Sequence, residues 1–288
     1  MSESIHEAGL RYLRHPVRPL LSIVEFILHT GGFAGVQEVL ALLPENIETE
    51  TAHYNNARQY LQPYIKELER FHSGNSDEDA ARPVVFDADG DPMDHLAAQS
   101  ALLTQKILEK ELEQINSLLC GAHTCTLCCT GPDATMQQEY FDIPLREGEE
   151  VLFAELDWIP IGQENAARQQ LETVVAARHD LGGCGAALAK HRQGTSLILP
   201  KLSQCPALDG KGRCSIYDNR PQVCRKPQIF PYLLEKEQGH RADGRPVFRL
   251  RNTLLAVMDC PYVQQLQHDI ALYAAASELE LVFRRNKA

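Results

Sequence analysis

Positive charge is what this chain is short of. Its 28 Lys and Arg stand against 39 Asp and Glu, for a formal charge of −11 and a pI near 5.5. So acidic a chain repels phosphate backbones and anionic headgroups, and neither nucleic acid nor membrane is expected as its main partner. Long apolar runs are missing too. The longest, Leu20 to Leu28, is interrupted by Glu25 and is much too short to cross a bilayer. The opening residues, Met-Ser-Glu-Ser-Ile-His-Glu, have neither the basic start nor the apolar stretch of a secretory signal. A cytoplasmic protein with reduced thiols is the expectation. No internal repeat, nucleotide-binding loop or Ser–His–Asp arrangement can be picked out, which removes the usual sequence handles on an enzyme.

What the chain does have is bulk and helical patterning. With 288 residues, 44% of them hydrophobic, it can build one large domain or two modest ones without disulfides. Pro19 to Leu43 carries apolar residues at helical spacing, broken at Gly31-Gly32 and ended by Pro44. Thr49 to Phe71 repeats the pattern, with Pro63 as a kink or a new start. After a polar connection holding Val84-Val85-Phe86 as one small strand, Met93 to Leu119 reads as a long helix leading into the first cysteines. Phe141-Asp-Ile-Pro suits a loop or edge strand, and Gln163 to His179 a helix. Thr195–Leu199 and Val247–Leu250 suit short strands, and Pro261 to Phe283 a last helix. The expected fold is mainly α with a small irregular α+β cysteine-rich lobe around a metal site. Its expected divisions are a helical region at 1–118, a cysteine-cluster domain at 119–262 and a C-terminal helix at 263–288.

Seven of the nine cysteines form two groups. The first is Cys120-Gly-Ala-His-Thr-Cys125-Thr-Leu-Cys128-Cys129. The second holds Cys205, Cys214 and Cys224. In a chain with no export signal, thiolates crowded in this way point to metal rather than to crosslinks. Cys125 and Cys128 have the knuckle spacing that turns two sulfurs toward one centre. Cys128 and Cys129 are adjacent and point apart, so either one packs in the core or the pair reaches two metals of a cluster. Asp209-Gly-Lys-Gly is a turn sequence able to fold Cys205 and Cys214 together. Pro221 suits the first turn of a helix capped by Asn219 or Arg220, which would put Cys224 near a helix N-terminus that favours the thiolate. Arg213, Arg220, Arg225 and Lys226 gather here in an otherwise acidic chain and would offset the charge of a thiolate site; the plainer reading is ordinary surface basics. About 75 residues separate Cys129 from Cys205. Closing that loop costs about 4 kcal/mol, well below the roughly 10–16 kcal/mol of a structural zinc, so one shared site is permitted.

From Cys120 to Lys226 the chain resembles the YkgJ-type cysteine-cluster proteins, also described as the CxxCxxCC zinc- or iron-chelating domain. The resemblance is carried by Cys125-x-x-Cys128-Cys129 and by Cys214-Ser-Ile-Tyr217-x-x-Arg220-Pro221-x-x-Cys224-Arg225. Ala122 stands where the leading cysteine of that motif would fall, with Cys120 two residues earlier. The resemblance implies Cys125, Cys128, Cys129, Cys205, Cys214 and Cys224 as metal ligands. Cys260, before Pro261, is implied as a seventh ligand, corresponding to a further downstream cysteine of such proteins, and Tyr217, Arg220 and Arg225 as cofactor-binding residues.

One zinc uses four ligands, and six or more cysteines exceed that. An iron–sulfur centre of the [4Fe–4S] type is the favoured expectation, with zinc, or two separate mononuclear sites, as alternatives. Three roles follow: a structural, redox or sensing centre in a protein whose helical N-terminal region meets a protein partner; an iron–sulfur enzyme resembling the flagellin lysine methylases; or a metal carrier. Weaker signals favour plain structure. Asp87-Ala-Asp89-Gly90-Asp91 misfits a calcium loop and reads as a polar turn, and Gly31 to Gly35 as a helix break. Leu181-Gly-Gly-Cys184-Gly reads as a helix stop, and His179, His191 and His240 are isolated.

Overall fold

The computed structural model describes residues 4–73, 83–122, 125–160, 185–191, 194–225, 228–240 and 245–284. They form two compact units, one from Met1–Ala122 with Gln228–Arg285, the other from His123–Pro227.

The first unit begins with α1 (Ile5–Arg14), whose start is set by a capping box: Ser4 Oγ accepts from Glu7 N at 3.2 Å and Ser4 N donates to Glu7 Oε2 at 2.9 Å. Next come α2 (Arg18–Thr30), with Pro19 in its first turn, and α3 (Val36–Leu42) beyond the expected glycine break. A short hairpin of β1 (Asn46–Glu48) and β2 (His53–Asn55) follows, and was not read from the sequence. Pro63 lies in a 3-10 turn between α4 (Ala57–Leu61) and α5 (Ile65–His72), as its rigid φ favours. After β3 (Val84–Phe86) the chain makes an Asx turn in which Asp87 Oδ1 accepts from the amides of Asp89, Gly90 and Asp91 at 2.8–3.0 Å; this is the polar turn the sequence suggested.

The spine is α6 (His95–Ala122), which serves two apolar clusters. Leu103 and Ile107 join the cluster of α2 to α5, while Leu108, Leu112, Ile115 and Leu119 join one built on the sheet. That sheet consists of β8 (Ile229–His240), β9 (Pro246–Val257), β3 and β10 (Glu280–Arg284). β8 runs antiparallel along one edge of β9; β3 and β10 pair in parallel with its other edge, against residues 247–249 and 253–257. Two amide side chains of α6 serve the backbone of β8. Gln105 bonds Pro231 O and Leu234 N at 3.1 and 3.0 Å, and Asn116 bonds Ile229 O and N at 2.8 and 3.2 Å. Edge groups left bare inside a fold are costly, and these bonds remove that cost.

Strand is thus more abundant than a mainly α chain would have: the protein is mixed α and β, with three small sheets among the described residues. The reason is visible in β8 and β9, whose Arg249–Glu237 and Arg251–Glu235 pairs at 2.6 and 2.7 Å cover an outer face. β8 gives no period-2 signal, because an apolar run holding Pro231 is followed by the polar run Glu235-Lys-Glu-Gln, and only Val247–Leu250 of β9 was legible. The expected last helix from Pro261 to Phe283 is also corrected. It is α7 (Pro261–Gln265) and α8 (Gln267–Ala276), ended by Glu278 at φ +57, after which Leu281, Val282 and Phe283 pair with β9.

The second unit holds a sheet in the order β4 (Tyr140–Leu145), β7 (Gly194–Pro200), β6 (Ala187–His191), β5 (Trp158–Pro160). Phe141-Asp-Ile-Pro is its edge, as expected, and Thr195–Leu199 its central strand. Strict alternation sorts the faces: Leu145, Leu188, Leu197 and Leu199 form one buried cluster, Ala187, Ala189, Ile159 and Ile198 the other. The expected helix at Gln163–His179 and the Cys184 segment lie outside the described residues. Among the described residues no helix is long and apolar enough to cross a membrane.

Candidate metal centre

A backbone ladder closes the long gap between the cysteine groups. Leu127–Cys129 forms a 3-10 turn in which Cys129 N donates to Thr126 O at 2.7 Å. Cys205 N then donates to Cys129 O at 2.7 Å, Thr130 pairs with Gln204, Gly131 N donates to Ser203 O at 3.0 Å and Leu202 N to Pro132 O at 2.8 Å. The two segments run antiparallel, so Cys129 faces Cys205. Gly131 makes the approach possible: a Cβ there would collide with Pro200 O and stand 2.8 Å from that carbonyl carbon. Leu202 sits at φ +61, a left-handed conformation that costs a β-carbon residue about 1 kcal/mol and turns the chain into the ladder.

A hairpin places the next sulfur. Leu208 pairs with Cys214, Ser215 N donates to Ala207 O at 2.7 Å and Asp209 N to Arg213 O at 2.8 Å. Asp209 Oδ1 accepts from Lys211 N and Arg213 N at 2.9 and 2.8 Å, and Gly212 takes φ +73. This is the turn that Asp209-Gly-Lys-Gly announced. The Arg213 amide, joined by its guanidinium and the Lys211 amide, holds the half-buried Asp209 carboxyl below the ordinary carboxylate range. Cys205, Cys214 and Ile216 pack partly against the Leu145–Leu199 face of the sheet, which gives the group an apolar floor.

The segment at Cys224 departs from expectation. Pro221 leads into only a four-residue 3-10 turn, Gln222–Arg225, with Cys224 N donating to Pro221 O at 2.9 Å. Its leading amide, Gln222 N, is bonded by Glu149 Oε1 at 2.8 Å, and Glu149 Oε2 accepts from Arg146 N at 2.9 Å. Four residues carry no appreciable macrodipole, so the anticipated helix-end stabilisation of the thiolate is absent. Burial, and then Cys205, instead push the Cys224 thiol up to about 12; Arg220 pulls it down, while Cys214 and Glu149 add to the rise. Glu149 went unnoticed in the sequence, where it is one glutamate among Glu147, Glu149 and Glu150.

The same electrostatics define the group. Cys129 is pushed up to about 12 by burial and then by Cys205, Cys128, Cys224 and Cys214 in turn. Cys205 is the sulfur with the largest influence on both Cys129 and Cys224. Cys128 is exposed, and Cys129, Cys205, Cys214 and Cys224 are half-buried, as is Cys125 three residues before Cys128. None of the eight described cysteines is disulfide-bonded. Among the described residues no three Cys, His, Asp or Glu side chains already stand as a ligand set. Soft, clustered, reduced sulfur of this kind suits zinc or iron and suits hard cations poorly.

Arg220 is buried, its Nε 2.9 Å from Tyr217 O and its guanidinium carbon 3.8 Å from the Tyr217 ring centre. Arg225 Nε donates to Arg220 O at 2.8 Å, whereas Arg213 is exposed and engaged with Asp209 at 2.9–3.0 Å. Lys226, His123 and His179 lie outside the described residues. His191 stands on β6 with Nε2 3.7 Å from Asp142. Cys120 and Cys260 belong to the first unit, where Cys260 precedes α7 in the sheet-side apolar cluster and Cys120 packs against that cluster from α6.

Residues 119–244 match the family model described as "CxxCxxCC: Putative zinc- or iron-chelating domain". No curated protein and no solved structure matches the chain.

Proposed function

We propose that the cysteine group of the second unit, within the stretch that matches the CxxCxxCC model, binds an iron–sulfur centre of the [4Fe–4S] type, in a structural, redox or sensing role. The observation that carries this reading is the backbone pairing that sets Cys129, with Cys125 and Cys128 on its segment, against Cys205 and the hairpin of Cys214. Six sulfurs exceed the four that a zinc ion takes, and adjacent Cys128 and Cys129 are better used on different metals. When bound, such a centre supplies one-electron chemistry or a rigid crosslink. The chain's own part is to hold thiolates at fixed positions, shield them on the sheet side and offset their charge. Zinc is the second reading, favoured by the division into two pairs: the Cys125–Cys128 knuckle and the Cys205–Cys214 hairpin. A cytoplasmic, reducing setting belongs to the same proposal, since the thiols must stay reduced. So does a protein partner on the helical N-terminal region, where Phe26 and Leu42 are 68% and 62% exposed.

Anaerobic purification with metal and acid-labile sulfide analysis tests this. About four irons and four sulfides per chain, with a broad absorption near 400 nm, is the expected result. Stoichiometric zinc without sulfide selects the second reading, and neither metal refutes both. Cys224→Ser and Cys128→Ser should each lower metal content sharply.

A further inference from the structure

We propose that the outer edge of β10 is a self-association surface, at which two copies of this chain join their sheets through antiparallel β10 strands centred on Val282. The inference concerns the first unit alone and does not rest on the metal-centre reading.

Backbone direction leaves one side of this strand open. β10 lies parallel to β9, and Met258 N donates to Arg284 O at 2.8 Å. The carbonyl of Arg284 therefore points at β9, and strand alternation turns those of Val282 and Glu280 the same way. Both polar backbone groups of a strand residue point to one side, so those of Leu281 and Phe283 face outward. Among the described residues no strand pairs with that outer side. An open edge is a template on which another strand can add.

The side chains select a second copy as the occupant. Leu281 packs against the sheet-side apolar cluster, while Val282 and Phe283, each 39% exposed, leave apolar surface at the edge. Glu280 and Arg284 bracket these three residues with opposite charges; both are exposed and, among the described residues, neither has an ion partner in the chain. When a second copy runs antiparallel with Val282 opposite Val282, Leu281 of each meets Phe283 of the other. Those are the outward-facing residues, and the two pairs close four backbone bonds. Glu280 then falls opposite Arg284 of the other copy, twice, by the two-fold symmetry of such a contact. Sliding one copy by two residues, the next register that keeps the backbone bonds, sets Glu280 or Arg284 opposite Val282 and loses both charge pairs. Only the register centred on Val282 uses all five residues of the strand. The strand is complementary to itself.

Full-length protein under reducing conditions is followed by sedimentation equilibrium, with circular dichroism as the check on folding. One short strand pair is a small contact by the standard of stable interfaces, so the parent should dimerise with a Kd of about 10–100 μM. Phe283→Pro removes an outward N–H without touching a bond to β9, and should leave the protein monomeric. Glu280→Arg and Arg284→Glu each set two like-charged pairs face to face and should weaken dimerisation about tenfold. The double variant Glu280→Arg/Arg284→Glu exchanges the signs and should return to within about threefold of the parent. A parent still monomeric at about 500 μM overturns the inference. So does a dimer that Phe283→Pro leaves intact, single charge variants that dimerise as the parent does, or a double variant no better than the single ones. Should Phe283→Pro not fold, the charge series decides alone: recovery in the double variant supports the inference and its absence overturns it. Metal content enters none of these readouts, so a failure of the metal-centre reading leaves them unchanged.

Discussion

Gly131→Ala is the sharpest probe of how the cysteine groups are joined. The added methyl would overlap Pro200 O and lie 2.8 Å from the Pro200 carbonyl carbon and 3.0 Å from Leu199 O. All three are backbone atoms of a strand end, so no side chain can swing aside. Relief requires the two segments to part by about 1 Å or more to restore ordinary contact. The bonds from Gly131 N to Ser203 O, Cys205 N to Cys129 O and Leu202 N to Pro132 O, now 2.7–3.0 Å, would then be stretched beyond useful length. At about 1 kcal/mol each, their loss destabilises the second unit by roughly 3 kcal/mol. Metal binding should suffer more than stability does, because ligand distances tolerate only about 0.2 Å of error and Cys129 moves with the ladder. Metal content per chain and urea denaturation monitored in each unit are the assays. A Gly131→Ala protein with parental metal content and an unchanged transition would refute the ladder as the device that holds the two groups together.

Three further outcomes follow from the same structure. Glu111 is buried in the first unit, accepting from Val17 N at 2.8 Å and from Tyr273 Oη at 2.6 Å, and burial pushes its carboxyl up to about 8 from an unfolded value of 4.5. The folded form therefore binds the proton more tightly, so this group's stabilisation is full below 4.5, is lost as pH rises through about 8, and is constant above that. The urea midpoint of the first unit should fall by a few kcal/mol equivalent between pH 5 and pH 9 in the parent and stay flat in Glu111→Gln; a flat parent profile would contradict the assignment. Asp209→Ala removes the acceptor for Lys211 N, Arg213 N and the Arg213 guanidinium, and should weaken metal binding severalfold while leaving the first unit's unfolding unchanged. Leu112→Ala, at a fully buried position of the α6–sheet cluster, should cost about 2–5 kcal/mol by thermal or urea denaturation.

Local chemistry was readable where it needs no partner. Spacing showed the α6 helix, the glycine break after α2 and the kink at Pro63, because a helix satisfies its own backbone within a few residues and leaves a periodic trace. The hairpin at Asp209-Gly-Lys-Gly was readable for the same reason: one carboxylate and two glycines determine it. The β1–β2 hairpin, most of β8 and β9, and the strand at Glu280–Arg284 were not, because each depends on what lies beside it. Leu281-Val-Phe is helix or strand until β9 offers a parallel edge.

Residue types and spacing suffice to say that this chain carries clustered thiols of metal-binding type on a body able to fold without crosslinks. Which sulfurs become neighbours is set by the fold. Gly131 lets Cys129 lie against Cys205, Glu149 holds the Gln222 amide from a turn some 70 residues away, and the Cys224 turn is too short to act as a helix end. These are long-range contacts between backbone groups, and backbone groups are alike in every residue but proline; no pattern of side chains records which of them will meet.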